Sequence, residues 1–289
     1  MTAYEPVGQV LGAYDHLVGD IRVTALNDGM FGADFAWVTQ IDPAESARLH
    51  AAGFRPIPPR ITVNAFLLRG GGRTVLVDSG CGGVMGPTVG RLGANLMAIG
   101  VAPEAIDAVL VTHLHPDHVG GLVAEGKAVL PRAELIVHEA ELPFWRDDAV
   151  LAGAPDEMRR FVLLARAALD AYAARMRPVS GGEVLPGVTA MPLAGHTPGH
   201  TGWMISSGGE SLLIWGDVVH MPGIQFACPG AGMGFDVDGA QAIATRQRVM
   251  DMAATDRLWV AGMHLDFPAF GHLARAGAGY AFVPEVWTP

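Results

Sequence analysis

Four residues able to bind a metal ion lie within six positions of the chain. His113, His115, Asp117 and His118 belong to the segment 112–121, THLHPDHVGG. No core strand or helix needs three imidazoles and a carboxylate so close together. A neutral imidazole offers one lone pair to a borderline metal ion, and a carboxylate offers another. The spacing therefore predicts a metal site.

The residues before this segment predict how its side chains are positioned. The apolar run 108–111 (AVLV) is typical of a short buried strand. Pro116 and the pair Gly120 and Gly121 indicate that the strand ends and the chain turns into a helix. The four candidate ligands thus lie on a loop at the carboxyl edge of a strand, where α/β proteins place their sites.

Three further candidate ligands follow predicted strands in the same way. His196 lies in the segment 195–201 (GHTPGHT), Asp217 follows Gly216, and His264 follows the apolar run 258–263. His200 competes with His196, and we expect it to pack or to form a hydrogen bond within the next turn. Asp217 alone would be interpreted as a cap, but two histidine clusters elsewhere favour a metal role.

Seven ligands suit two cations rather than one. A catalytic metal normally takes three protein ligands and keeps one position open, so one carboxylate would be shared. Two divalent metals can hold a hydroxide between them, lower its pKa and polarise an ester or phosphoryl oxygen. No nucleophilic serine or cysteine is then needed. We predict two divalent ions and take zinc as the first choice. Manganese, iron and cobalt are alternatives, because imidazole and carboxylate suit these metals too.

Three other residues, Asp78, His138 and Cys81, are interpreted without a role as metal ligands. Asp78 ends a predicted strand, and we expect it to support the site or to cap backbone donors. His138 is interpreted as a hydrogen-bonded structural imidazole. Cys81 lies in a glycine-rich loop and is interpreted as a small buried residue, and Cys81 and Cys228 do not form a disulfide framework.

Composition excludes some classes of function. The chain has 289 residues, of which 50% are hydrophobic and 17% charged, so it can bury a sizeable core. Its formal net charge of −10 argues against nucleic acid as a partner. No apolar run is long enough for a membrane span, and no signal peptide is evident at the N-terminus. We therefore expect a cytoplasmic protein, or a periplasmic one if the N-terminus was trimmed.

Turn and helix signals divide the rest of the chain. Residues 27–29 (NDG) predict a turn, Asp42 and Pro43 predict the start of a helix, and 70–72 predict a hairpin. Segments 139–145 and 155–176 predict helices, which form a helical insert at about 139–177. No repeat or linker divides the sequence, so we expect one domain over 1–289.

The ligand pattern resembles the metallo-β-lactamase superfamily. The HxHxDH signature, the downstream GHTPGHT, the Gly-Asp strand end and the terminal histidine carry this resemblance. It implies an α+β fold, an αββα sandwich with two mixed β-sheets flanked by helices. It also implies that His113, His115 and His196 hold one metal. Asp117, His118 and His264 would hold the other, with Asp217 as the bridge.

Differences between this sequence and other branches of the superfamily make some activities less plausible. Flavodiiron proteins carry a glutamate in place of His115, and true β-lactamases lack a bridging aspartate such as Asp217. The metallo-ribonucleases of this fold carry extra domains or arms that are not found here, and glyoxalase II ends in a basic helical domain. Oxygen chemistry, antibiotic hydrolysis and RNA cleavage are therefore disfavoured.

A closer resemblance connects the chain with methyl parathion hydrolase and its lactonase-like relatives. It covers 77–80, 85–92, 112–122, 144–145 and 271–283, and it implies hydrolysis of lactones, aryl esters or phosphotriesters by a homodimer. The substrate-pocket positions that match that family are Met85, Trp145, His220 and Phe235. The organophosphate enzyme has an apolar residue at the position of His220.

The roles of two pocket residues remain open at this point. His220 could donate a proton or hydrogen bond to an ester oxygen, or it could lie in a surface loop. Trp145 could stack on an aromatic substrate or could belong to the core. We take Asp117 and His220 as the candidate catalytic residues.

The sequence thus predicts a dinuclear hydrolase of small neutral lactones or aryl esters, with phosphotriesters as weaker substrates. The alternatives are an organophosphate triesterase and, with less support, a glyoxalase II-like thioesterase or a metal-binding protein without turnover.

Overall fold

A computed structural model describes residues 12–287 of the chain. Within that range the first half contains strands β1 (Ala13–Val18), β2 (Ile21–Gly32), β3 (Val38–Thr39), β4 (Arg60–Gly70), β5 (Arg73–Val77), β6 (Ala108–Leu110), β7 (Val123–Ala124), β8 (Lys127–Ala128) and β9 (Glu134–His138). The second half contains strands β10 (Met176–Val179), β11 (Gly182–Leu185), β12 (Val188–Pro192), β13 (Thr201–Ser207), β14 (Glu210–Ile214), β15 (Gly232–Met233), β16 (Trp259–Ala261), β17 (Phe270–Ala276) and β18 (Gly279–Pro284).

The same range contains eight α-helices and five short 3₁₀ turns. The helices are α1 (Pro43–Ala52), α2 (Leu92–Ala98), α3 (Pro116–Val119), α4 (Glu141–Arg146), α5 (Asp148–Gly153), α6 (Asp156–Ala171), α7 (Pro222–Gln225) and α8 (Gly239–Thr255). Helix α1 begins as the sequence predicts, because Asp42 accepts a hydrogen bond from the Ala44 N–H and Pro43 takes the first turn.

Two seven-stranded sheets form the centre of the fold. The first has the order β1-β2-β4-β5-β6-β9-β10 and the second β11-β12-β13-β14-β16-β17-β18. In the first sheet β5, β6, β9 and β10 are parallel and the other pairs antiparallel. In the second sheet only β14 and β16 are parallel. Both sheets are mixed.

Alternation along the strands explains why the sheets stack with helices outside them. In β4, Phe66 and Leu68 join the core between the two sheets, together with Trp203 and Ile205 of β13. The intervening Ala65 and Leu67 point to the opposite face, because side chains alternate along a strand. That outer core includes residues of α2 and α6, while α8 packs against the second sheet through residues such as Val249. The αββα sandwich predicted from the sequence is confirmed.

Two local predictions were wrong, and two elements were missed. Residues 27–29 are not a turn, because β2 continues through them with a bulge between Asn27 and Gly29. The long helix predicted to end at Met176 stops at Ala171, and Met176 begins the edge strand β10. Helix α5 and strand β17 were not predicted at all.

The prediction of one domain over 1–289, with its helical insert, stays a prediction. No helix among residues 12–287 is both long enough and apolar enough to cross a bilayer.

Candidate metal centre

Three imidazoles converge beyond the ends of β6 and β12. The Nδ1 atom of His115 lies 2.9 Å from His113 Nε2 and 2.9 Å from His196 Nε2. His113 and His115 are held by the loop between β6 and α3, and His196 by the loop between β12 and β13. These residues form the first group.

A second group lies beside the first and uses the other predicted ligands. Asp117 Oδ2 is 3.5 Å from His118 Nε2 and 3.5 Å from His264 Nε2. Asp117 and His118 are on α3, whereas His264 follows β16 of the other sheet. The ligand atoms of these three residues lie within 4.8 Å of one another.

Asp217 stands between the two groups. Its Oδ2 is 3.5 Å from His113 Nε2 and 3.3 Å from His196 Nε2. Its Oδ1 is 3.2 Å from His118 Nε2 and 3.2 Å from His264 Nε2. His264 Nε2 is also 3.2 Å from Oδ2, so it lies equally close to both oxygens. The carboxylate as a whole therefore lies between the two groups, as a shared ligand must.

The outer nitrogens of three cluster histidines are fixed by hydrogen bonds. His196 Nδ1 donates to Asp236 at 2.8 Å, and His264 Nδ1 donates to the Thr62 carbonyl at 2.8 Å. His118 Nδ1 donates to Asp78 at 2.7 Å. Such partners fix the tautomer and orient the inner nitrogen. Asp238 caps α8, and the nearby Asp236 supports His196.

Asp78 connects both groups. Its Oδ2 binds His118 and also accepts the Thr112 hydroxyl at 2.7 Å, and that hydroxyl oxygen lies 3.0 Å from His113 Nδ1. Asp78 is fully buried and has φ 57, a left-handed conformation that aspartate tolerates better than most residues. The supporting role predicted for Asp78 agrees with these contacts.

The pKa shifts show how strongly these groups compete for protons. Burial and the neighbouring imidazoles lower the pKa of His113 and His115 well below the ordinary value. Burial acts in the same direction on His118, but the carboxylates of Asp217, Asp117 and Asp78 outweigh it and raise its pKa well above that value. Burial would raise the pKa of Asp117, yet His118 and His264 lower it.

Unpaired buried atoms point to what the cluster is built to bind. Among the described residues, His118 Nε2 and Asp217 Oδ1 are buried and lack a hydrogen-bond partner. An unsatisfied buried polar group is costly, and imidazole lone pairs do not pack together unless something binds between them. The nitrogen and oxygen donors fit divalent cations of the zinc type. The structure thus brings all seven predicted residues together, and their role as ligands stays a proposal.

His220 lies against this cluster and is not part of a surface loop. It is 3% exposed, and its Nε2 is 3.0 Å from Asp217 Oδ2, although without hydrogen-bond geometry. Gln225 fixes the loop by accepting the His220 N–H at 2.7 Å. Burial lowers the pKa of His220 to about 4. Asp217, His220 and His264 also form a compact group that could hold a metal ion.

The other predicted pocket residues differ in position. Phe235 lies edge-on to His220, with ring centroids 5.1 Å apart, and so it borders the cluster. Trp145 is 4% exposed and belongs to the outer core, although its ring lies edge-on to His115 at 5.4 Å. Met85 is half-buried and packs against a small cluster around Cys81 and Val89.

One aromatic residue beside the site was missed. Trp37 is 38% exposed and contacts Phe235 edge-on, with centroids 6.3 Å apart. The strands β3 and β15 pair next to it, and Gly234 donates its N–H to the Trp37 carbonyl at 2.7 Å. Nothing in the local sequence signals this contact, because Trp37 and Phe235 are almost 200 positions apart.

His138 and His200 are outside the ligand groups. His138 accepts the Ala140 N–H at 3.2 Å, which agrees with the structural role predicted for it. His200 donates to the Leu193 carbonyl at 2.9 Å and accepts the Asp217 N–H at 2.9 Å. Its second partner is therefore in another loop rather than in the next turn, and it supports Asp217.

Comparison with known proteins gives a consistent family. The family model described as the metallo-beta-lactamase superfamily matches residues 58–264. The sequence is 32% identical over 177 residues to ribonuclease TTHA0252 of Thermus thermophilus, covering 55% of this chain and 35% of that protein. It is 31% identical over 142 residues to N-acyl homoserine lactonase AiiB of Agrobacterium fabrum, covering 43% and 45%. The chain thus spans less than half the length of these two relatives.

Solved structures match over nearly the whole chain. The hydrolase AbOPH, described as a member of the beta lactamase superfamily, superposes with a TM-score of 0.91 at 32% identity, covering 97% of this chain and 100% of AbOPH. AidC, described as a dizinc quorum-quenching lactonase, superposes with a TM-score of 0.91 at 24% identity, covering 96% and 99%. The likeness to AidC concerns the fold alone.

Proposed function

The chain belongs to the metallo-beta-lactamase superfamily, and we propose that it is a dinuclear metal-dependent hydrolase of small lactones and aryl esters. The observation that carries the proposal is the position of Asp217, whose carboxylate lies between two buried donor groups and contacts imidazoles of both. Two separate three-residue groups that share a carboxylate suit a pair of divalent cations better than one.

The residues divide between the two cations as the resemblance implies. His113, His115 and His196 would hold the first cation, Asp117, His118 and His264 the second, and Asp217 both. Bound there, divalent cations would lower the pKa of water and polarise an ester oxygen. Zinc is our first choice because its usual protein ligands include imidazole and carboxylate.

The protein's own contribution is to fix the orientation of the donors. Hydrogen bonds from the outer nitrogens to Asp78, Asp236 and the Thr62 carbonyl leave the inner nitrogens free to bind. Burial of the cluster excludes water, which strengthens electrostatic interactions with a reacting group.

Aromatic side chains beside the cluster support an apolar ester as the substrate. Phe235 contacts both His196 and His220, and Trp37 extends the aromatic surface from Phe235 to the solvent. A ring or acyl chain could lie along these faces while the ester group reaches the cluster. The net charge of −10 favours neutral substrates over anionic ones. The identity to the lactonase AiiB gives further support for a lactone.

His220 supports carboxylic esters over phosphotriesters. We infer that its imidazole donates a hydrogen bond to the carbonyl or leaving oxygen, because both of its ring nitrogens are buried without a partner among the described residues. A positioned donor of this kind assists bond breaking. The alternative function, an organophosphate triesterase, has less support, because the organophosphate enzyme that the sequence resembles has an apolar residue at the position of His220.

The deciding experiment compares substrates on protein of measured metal content. We expect a higher kcat/KM for dihydrocoumarin and phenyl acetate than for paraoxon, and loss of all three activities after chelation. A much higher kcat/KM for paraoxon would support the triesterase, and a metal-replete protein inert on a broad ester panel would support a non-catalytic protein. Cleavage of RNA alone would favour the activity named for the Thermus relative.

The variant His115→Ala tests the first group directly. His115 Nδ1 lies between the two other imidazoles of that group, so its loss should remove metal and most activity. Retention of two metal equivalents by elemental analysis would refute the assignment.

A homodimer and a cytoplasmic location remain proposals from the sequence. Light scattering coupled to size-exclusion chromatography would test the dimer.

A further inference from the structure

His115 differs from the other cluster histidines in how it is supported. His113, His118, His196 and His264 each have the outer nitrogen within hydrogen-bond distance of a protein oxygen. His115 uses Nδ1 toward the cluster, and its Nε2 has no protein partner among the described residues. The orientation of this ring must therefore be fixed in another way.

A buried carboxylate outside the ligand set lies next to it. Glu141, at the start of α4, is 0% exposed. Its Oε2 accepts the Leu114 N–H at 3.0 Å and the Trp145 Nε1–H at 2.8 Å, and its Oε1 accepts the Gly199 N–H at 2.8 Å. All three donors are neutral, so the side chain acts as an acceptor of several hydrogen bonds, which a carboxylate does best.

These three donors come from the segments that surround the first group. Leu114 lies between His113 and His115, and Gly199 lies in the same loop as His196. Trp145 packs edge-on against the His115 ring, with centroids 5.4 Å apart. Glu141 thus connects the two histidine loops and fixes the indole that borders His115, the one imidazole of the two ligand groups without an oxygen partner for its outer nitrogen.

The packing around Gly199 agrees with this role. A Cβ atom at Gly199 would lie 2.8 Å from both the Cγ and the backbone nitrogen of Glu141. Glycine at this position lets the backbone of the His196 loop approach the carboxylate closely enough for the hydrogen bond.

We propose that Glu141 is a positioning residue for the first metal group, acting on His115 through Leu114 and Trp145 and on the His196 loop through Gly199. This inference rests on the proposed metal centre. It predicts that Glu141 controls the affinity and geometry of the first cation and leaves the second group, Asp117, His118 and His264, unaffected.

The variant Glu141→Gln tests this role in the full-length metal-loaded protein. A carboxamide has one accepting oxygen, and its NH₂ group would face a backbone or indole N–H. We expect the affinity for one of the two zinc equivalents to fall about 10–100-fold, as it does when support of a metal ligand is lost, while the affinity for the other equivalent stays unchanged. Zinc content at increasing chelator concentration is the measurement, and the visible spectrum after cobalt substitution reports the changed geometry. Glu139→Gln, an exposed carboxylate two residues away, is the matched control.

A second variant covers the case in which Glu141→Gln does not fold. Trp145→Phe removes the Nε1–H donor but keeps an aromatic ring beside His115, and we expect a smaller loss of affinity for the same equivalent. The proposal would be overturned if whichever variant folds bound each of the two zinc equivalents as tightly as the wild type does. Selective loss of one equivalent in a protein inert on every ester would overturn the proposed function and leave the role of Glu141 intact.

Discussion

His200 accepts the backbone N–H of Asp217 through Nε2 at 2.9 Å, while its Nδ1 donates to the Leu193 carbonyl. The imidazole is buried and neutral, because burial lowers its pKa to about 3. A residue of the GHTPGHT segment therefore fixes the backbone of the carboxylate that both donor groups share.

Gly216→Ala should disturb this contact. Gly216 has φ +59, and a Cβ there would lie 2.4 Å from His200 Nε2. We expect a loss of about 1–3 kcal/mol in unfolding free energy from backbone conformation alone, together with reduced metal content. Gly209→Ala is the control, because Gly209 has φ +85 but nothing within 4 Å of its Cβ. Equal metal content in both variants would show that the close approach does not matter.

Asp217→Asn should separate the two cations. The amide keeps the shape of the side chain but cannot supply the charge that both groups share. We expect metal content to fall from two equivalents to one or fewer, with loss of most ester hydrolysis. Elemental analysis and initial rates on phenyl acetate are the measurements, with the exposed Asp256→Asn as the control. Two tightly bound equivalents with full activity would mean that another residue is the bridge.

Asp78→Asn should weaken both groups together. Asp78 binds His118 directly and reaches His113 through the Thr112 hydroxyl. The amide N–H group would face the Thr112 hydroxyl and His118 Nδ1–H, which are themselves donors. We therefore expect about 10–100-fold weaker metal binding. Chelator competition monitored by zinc release measures it. An effect on one equivalent only would place Thr112 outside the supporting network.

His220→Leu should change substrate preference without removing metal. Loss of the hydrogen-bond donor should lower kcat for phenyl acetate and dihydrocoumarin by about 100-fold and should leave paraoxon hydrolysis unchanged or higher. Metal content has to be measured in parallel. A variant that keeps only one equivalent would identify His220 as a ligand, which its position beside Asp217 and His264 also permits.

The two cysteines should differ in reactivity. Cys81 is 0% exposed, and burial together with Asp117 and Asp28 raises its pKa, whereas Cys228 is partly exposed. The thiolate is the reactive form. We expect iodoacetamide to label Cys228 alone in the folded protein and both residues after denaturation, as measured by peptide mass spectrometry. Rapid labelling of Cys81 in the native state would contradict the burial.

The sequence allowed prediction of the fold and of the seven clustered residues because each signal is local. His113, Asp217 and His264 each follow a short apolar run, and the edge of a sheet brings such strand ends together. The supports were harder to predict. Glu141 and Asp236 contact residues that are distant from them in the sequence. Only the fold shows which backbone amide or imidazole each carboxylate meets.

Local signals also failed where tertiary structure overrode them. Residues 27–29 have turn composition, yet Asp28 accepts the backbone N–H groups of Cys81, Gly90 and Leu92. Those hydrogen bonds hold the segment in a bulged strand. The polar residue Asp28 is present because it binds the backbone of the loop 81–92, and not because the chain turns there.

The donors of this centre come from both halves of the sandwich. The loop after β6 of the first sheet supplies His113 and its neighbours, whereas Asp217 and His264 follow β14 and β16 of the second. The His264 loop is moreover fastened to β4, since Asn64 donates to the carbonyls of Met263 and Leu265. A shift of one sheet relative to the other would separate these residues. We therefore expect metal to bind only to molecules in which the two sheets are correctly packed.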